Sequence, residues 1–168
     1  MRILLERDSV DPNKPDKGGR APLRWATRNG REGVVKILLG RDGVSPDKAD
    51  NYGGTPLLVA ACYGHEGVVK MLLDRDGIDP DKPGKDGRAP LLWAARNGRE
   101  GVAKILPGRD GVNPNKADND GWTPLLAAAY YGHEGVVGIL LGQGNIDPDN
   151  PNDDGQAPPP LAAQNGHE

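Results

Sequence analysis

TPLLVAACYGHEGVVKMLLD, residues 55–74, decides the fold. Thr55 is placed to cap a helix, and Pro56 stands at the first helical position, where a missing N–H costs nothing. The run LLVAACY that follows supplies about two turns of small and aliphatic residues, and Gly64 ends them. A second helix is predicted from Glu66 to Arg75, its apolar face made of Val68, Val69, Met71, Leu72 and Leu73. Beyond it, residues 76–87 read DGIDPDKPGKDG, a stretch punctuated by glycine and proline. The local prediction is helix–turn–helix followed by an extended, hairpin-like loop. A handful of buried aliphatic side chains cannot offset the entropy of ordering so many residues, so the unit folds only by stacking on copies of itself.

Those copies are present. Pro22, Pro56, Pro90, Pro124 and Pro158 recur at intervals of 34 residues. Pro12, Pro46, Pro80, Pro114 and Pro148 keep the same step, as do the glycines at 30, 64, 98, 132 and 166. In all, 13 of the 16 prolines fall in three repeating slots and 20 of the 25 glycines in five, so a composition close to that of a disordered chain is a punctuation scheme. A second period is nested in the first. Residues 22–89 match residues 90–157 at 48 of 68 positions, whereas residues 22–55 match 56–89 at only 18 of 34. Units therefore alternate between two flavours, RAPLLWAARNGREG (88–101) and TPLLVAACYGHEG (55–67), and a two-unit block has been duplicated whole.

The unit D-x-x-G-x-[TA]-P-L-x-x-A-A-x-x-G-H-E-G-V-V-K-x-L-L, seen in residues 50–73 and 118–141, resembles the ankyrin repeat. The resemblance covers essentially the whole chain and implies an all-α repeat solenoid of stacked helix–turn–helix units with hairpin-like loops. One array over 1–168 is expected, with a partial repeat at 1–21, full units at 22–55, 56–89, 90–123 and 124–157, and a truncated repeat at 158–168. Two departures stand out. The unit has one residue more than the usual ankyrin repeat, and the usual His of T-P-L-H is replaced by Arg24, Leu58, Leu92 and Leu126, which removes a familiar inter-helix hydrogen bond. The L-L-x-R-D-G-[VI]-[DN]-P-[DN]-K stretch also resembles ankyrin arrays of fungal receptor-like proteins. Neither end carries a polar capping repeat, from which we expect a fragment of a longer array or a drifted gene copy. Pro107 occupies the slot of Leu39, Leu73 and Leu141, so the second helix of that unit is expected to end near Leu106. Pro159 and Pro160 predict a weakly docked last unit.

The chemistry of the chain is sparse. Its 21 basic and 24 acidic residues give a net charge of −3, with no electrostatic footprint for nucleic acid or an anionic membrane. No apolar run approaches a membrane span, and no signal-peptide core fits the start. One cysteine, Cys62, forms no intrachain disulfide and fits a reducing, cytoplasmic setting. Neither it nor His65, His133 and His167, which share one repeat slot, has the partners of a nucleophile or a metal site. The DGIDPDKPGKDG loops lack the ligand spacing of an EF-hand, and no P-loop, GxSxG or HExxH occurs. No enzyme, cofactor or small-molecule substrate is indicated.

What remains is surface. The ankyrin resemblance places the concave face at the loop tips and the exposed end of the first helix. Carried onto this chain, those slots hold Arg20, Arg28 and Asn29; Asn51, Tyr52, Gly54, Cys62 and Tyr63; Lys85, Asp86, Arg88, Arg96 and Asn97; and Asn119, Asp120, Trp122, Tyr130 and Tyr131. One flavour offers Arg20, Arg28, Arg88 and Arg96, the other Tyr52, Tyr63, Trp122, Tyr130 and Tyr131. These are residue types that dominate binding hot spots, and together they suit an acidic or amphipathic protein or peptide. Trp25 and Trp93 read as packing residues. The leading expectation is a non-enzymatic protein-interaction module. The alternative is a structural spacer or non-functional fragment of a larger fungal-type receptor-like ankyrin protein.

Overall fold

A computed structural model of the chain describes residues 11–155. Among these residues there are eight helices and no strand. They come in four pairs: α1 Pro22–Arg28 with α2 Glu32–Leu39, α3 Pro56–Tyr63 with α4 Glu66–Leu73, α5 Pro90–Arg96 with α6 Glu100–Ile105, and α7 Pro124–Tyr130 with α8 Glu134–Leu141. Each pair packs on itself. The first helices α1, α3, α5 and α7 stack side by side as one layer, and the second helices stack as the other. The chain is an all-α solenoid, as the period implied.

Each helix starts and stops for a local reason. Thr55 and Thr123 accept hydrogen bonds from the amides of Leu58 and Leu126, at 3.1 and 3.2 Å. Ala21 and Ala89 hold the same extended backbone before α1 and α5 but offer no side-chain acceptor. Gly64 closes α3 at φ 79°, a left-handed conformation that a side chain would strain. α4 ends at Leu73, with Asp74 as its cap, one to two residues short of the Arg75 expected.

The two layers bury different things. The first helices are enclosed from both sides, so residues 56–61 and 124–129 are buried without interruption. Ala60, Ala61, Ala94, Ala95 and Ala128 leave room there for close helix approach. The second helices are amphipathic: Val68, Val69 and Leu72 are buried while Glu66 and Lys70 face solvent. Pro107 has the effect its slot predicted. α6 has six residues where α2, α4 and α8 have eight, and fully buried Leu106 is its cap. Pro159, Pro160 and His167, and the first ten residues, lie outside the described range.

Successive units are tied by polar contacts spaced about one period apart. Lys82 pairs with Asp47 at 2.6 Å and Lys116 with Asp81 at 3.1 Å. At the equivalent position Asn115 donates to the carbonyl of Asn145 and accepts from the amide of Asp147, at 2.7 and 3.0 Å. The histidine slot is another tie. The Nε2–H groups of His65 and His133 donate to the carbonyls of Arg28 and Arg96, at 2.9 and 3.0 Å, which fixes the tautomer because a carbonyl can only accept. Arg99 does the same job from that slot, its Nε–H donating to the carbonyl of Cys62 at 3.2 Å. Each such bond also satisfies a carbonyl at the end of a first helix.

Candidate functional site

The loop tips that lead into the first helices are built on a carboxylate. Asp50 Oδ1 accepts from the amides of Tyr52 and Gly54, both at 2.9 Å. Asp118 Oδ1 accepts from Asp120 and Trp122, at 3.0 and 2.9 Å, and Asp16 Oδ1 from Gly18 and Arg20, at 2.8 and 3.0 Å. These bonds hold the Asp16 carboxyl below its ordinary range, the Arg20 amide contributing most. Before α5 the slot holds Gly84, and Asp86 takes over part of the task by accepting from the Arg88 amide at 3.1 Å. The second carboxylate oxygen has a partner in every case. It is the indole N–H of Trp25 for Asp16, Arg24 for Asp50 at 2.8 Å, and Arg88 for Asp118 at 2.9 Å.

Two arginines are thereby committed to structure. Arg24, in the slot of the missing histidine, replaces a helix-to-helix hydrogen bond with an ion pair to a side chain only 1% exposed. Arg88 is 20% exposed and reaches Asp118, Asp86 and Asp120, so most of its fork is occupied.

The other slots form a ladder of rings and guanidinium groups. Arg20 and Arg28 lie on Trp25, at 5.2 and 5.5 Å from the ring centroid. Arg28 also lies over Tyr63, at 5.6 Å, and its Nε–H donates to the Tyr63 hydroxyl at 3.2 Å. Tyr63 stacks on His65, their rings 6.2 Å apart and 9° from parallel. The second block repeats the motif. Arg88 and Arg96 lie on Trp93, at 5.4 and 6.0 Å, Arg96 is 4.6 Å from the centroid of Tyr131, and Tyr131 stacks on His133. Trp122, Tyr130 and Tyr131 extend it edge to face, with centroids 5.1 and 5.0 Å apart. Tyr52 stands alone at the tip of its loop, 69% exposed.

Most of the sequence-derived arginines and rings thus meet in one cluster per block, while the Tyr52 ring stacks on no other ring among the described residues. The reading missed Trp25 and Trp93, assigned to packing. Both are half-buried, and each lies against two arginines. Helical spacing carried the signal, since Arg28 and Arg96 follow those tryptophans by three residues on one helix face.

In the first block Gly54 and Cys62 take the places of Trp122 and Tyr130. The absent rings leave a shallow, mostly apolar groove between Tyr52, Tyr63, Leu58 and Trp93, with Cys62 in its wall. Burial pushes the Cys62 thiol up, so it stays protonated and is a weak nucleophile. Asn97 donates to its sulfur at 3.6 Å. Among the described residues no group of three or more His, Cys, Asp or Glu is placed to hold a metal ion. No helix among them is long and apolar enough to cross a membrane.

Comparison with known families agrees with this architecture. The family described as ankyrin repeats (3 copies) matches residues 35–118 and 91–168, and the single ankyrin repeat matches residues 18–51. No curated protein matches the chain. Ankyrin repeats are generally protein–protein interaction modules and typically lack enzymatic activity. With the period, the paired helices and the matched residues in agreement, the chain belongs to the ankyrin repeat family.

Proposed function

We propose that this chain is a non-enzymatic interaction module whose concave face takes a protein or peptide partner of acidic or amphipathic character. The contact residues in this reading are Arg20, Arg28, Tyr52, Tyr63, Arg88, Arg96, Trp122, Tyr130 and Tyr131. One observation supports it: in each block, rings and guanidinium groups from successive first helices and loop tips gather into a cluster, and Tyr63, Tyr130 and Tyr131 remain 37–43% exposed there. Large, rigid amphipathic side chains give contact area at little entropic cost, which is why Tyr, Trp and Arg concentrate at hot spots. Structural ion pairs reduce the share of Arg88 in this surface, and the second block's aromatic cluster is its centre.

The test is a displayed peptide library selected on the immobilised chain. Peptides enriched on the wild type are measured against Trp122→Ala and Tyr131→Ala. Binding falls about tenfold or more in each, with helicity by circular dichroism unchanged. Unaltered affinity in both variants would overturn the assignment of the face.

A further inference from the structure

We infer that Arg28 and Arg96 are two equivalent carboxylate seats, one per two-unit block, that read a pair of acidic side chains on a single protein partner. The inference rests on the concave-face reading above and names the chemistry of its partner.

Each is the last residue of a first helix, α1 or α5. Each lies beside a tryptophan of its own helix and a tyrosine at the C-terminal end of the next first helix, with centroid distances of 5.5 and 5.6 Å for Arg28 and 6.0 and 4.6 Å for Arg96. Rings lying beside a guanidinium hold it in place while leaving terminal N–H groups for a ligand, and that fork matches a carboxylate. The charge is also unspent. Arg24 and Arg88 pair with Asp50 and Asp118, whereas no carboxylate lies within ion-pair distance of Arg28 or Arg96 among the described residues. Arg28 gives one N–H to the Tyr63 hydroxyl, and among the described residues the Arg96 fork donates to no group. Two cations in corresponding slots on a chain of net negative charge call for anionic groups from outside.

The solenoid sets their spacing. α1, α3 and α5 pack side by side, and neighbouring helix axes lie about 8–10 Å apart, so the two seats are about 16–20 Å from each other. A polyproline rod rises about 3.1 Å per residue. Two glutamates about five or six residues apart on such a rod span the seats.

The probes are proline rods carrying two glutamates about two, six and twelve residues apart, a single-glutamate rod and a double-glutamine rod, titrated calorimetrically against the whole chain. The rod of about six residues binds about tenfold or more tighter than the single-glutamate rod. Arg28→Ala and Arg96→Ala each reduce it to the single-glutamate level. Arg96→Lys, which keeps the charge but not the fork, weakens it severalfold, and circular dichroism confirms the fold of each variant. Equal affinity for all spacings, equal binding of the glutamine rod, no binding of any rod at millimolar concentration, or indifference to both alanine variants overturns the inference. If the rods fail while library peptides still depend on Trp122 and Tyr131, the two seats fall and the concave-face reading stands. If both fail, the face itself is wrong.

Discussion

Residues 22–89 and 90–157 are near copies that solve one problem in two ways. Both blocks place a buried aspartate in the loop after their first helix pair, Asp50 and Asp118, and both tie it with an arginine. In the first block the arginine comes from the helix, Arg24; in the second that slot is Leu92, and Arg88, in the loop just before residue 90, reaches instead. The preserved feature is a compensated charge at a fixed point in space, because an uncompensated buried carboxylate is costly whatever position supplies its partner. The blocks differ again at the surface. The first leaves a groove at Gly54 and Cys62, and the second fills the same place with Trp122 and Tyr130.

The largest effect should come from the carboxylates themselves. Asp118→Ala and Asp50→Ala each strip two backbone amides and an arginine of their acceptor and should cost about 3 kcal/mol in urea unfolding. Asp86→Ala, which loses the acceptor of one amide and a 3.4 Å contact with Arg88 from a half-exposed side chain, should cost about 1 kcal/mol. Equal costs at all three sites would erase the distinction between clamped and unclamped tips.

Next is the proline that sets the second block apart. Pro107→Leu should raise stability by about 2 kcal/mol and add helical signal by circular dichroism, since it restores an amide donor and the apolar side chain of Leu39 and Leu73. A smaller step is expected where the blocks are alike: Thr55→Ala and Thr123→Ala should each lower stability by about 1 kcal/mol. A cost confined to one block would mean that Thr capping is not equivalent in the two.

The smallest effect is a pH dependence. Burial raises the Asp81 carboxyl above its ordinary value, and Lys116 offsets only part of that. Ionisation is therefore penalised in the folded state, and this contribution to stability improves as pH falls through the raised value, levelling off below the ordinary one. Asp81→Asn should thus be slightly more stable than the wild type at pH 7, with the difference closing in acid. Asn13 and Asn115 already fill the equivalent slot, and Lys116 keeps the Asp81 carbonyl at 2.7 Å. A variant less stable at pH 7 would show that the ion pair outweighs burial.

The fold was legible because its determinants are local and repeated. The Thr–Pro start, the glycine stop and the valine–leucine stripe each act within a few residues, and the period multiplied the signal. Pro107 was readable for the same reason, since a missing amide shortens a helix in any setting. The end of α4 was misjudged because residues past Leu73 are polar and their fate depends on neighbours. At the candidate site, the slots were recoverable from the repeat, but the work of each arginine was not.

By itself, then, the sequence determined a solenoid of alternating units and the repeat slots that carry its rings and arginines. Only the tertiary structure divided its arginines into those spent on Asp50 and Asp118 and those left open between rings. It also showed that Trp25 and Trp93, read as packing residues, pack against arginines. The reason is geometric: the neighbours that decide these roles lie about one repeat away in the chain and a few ångströms away in space. A pattern of residue types fixes which groups stack, and the distances between facing side chains decide which charges are satisfied.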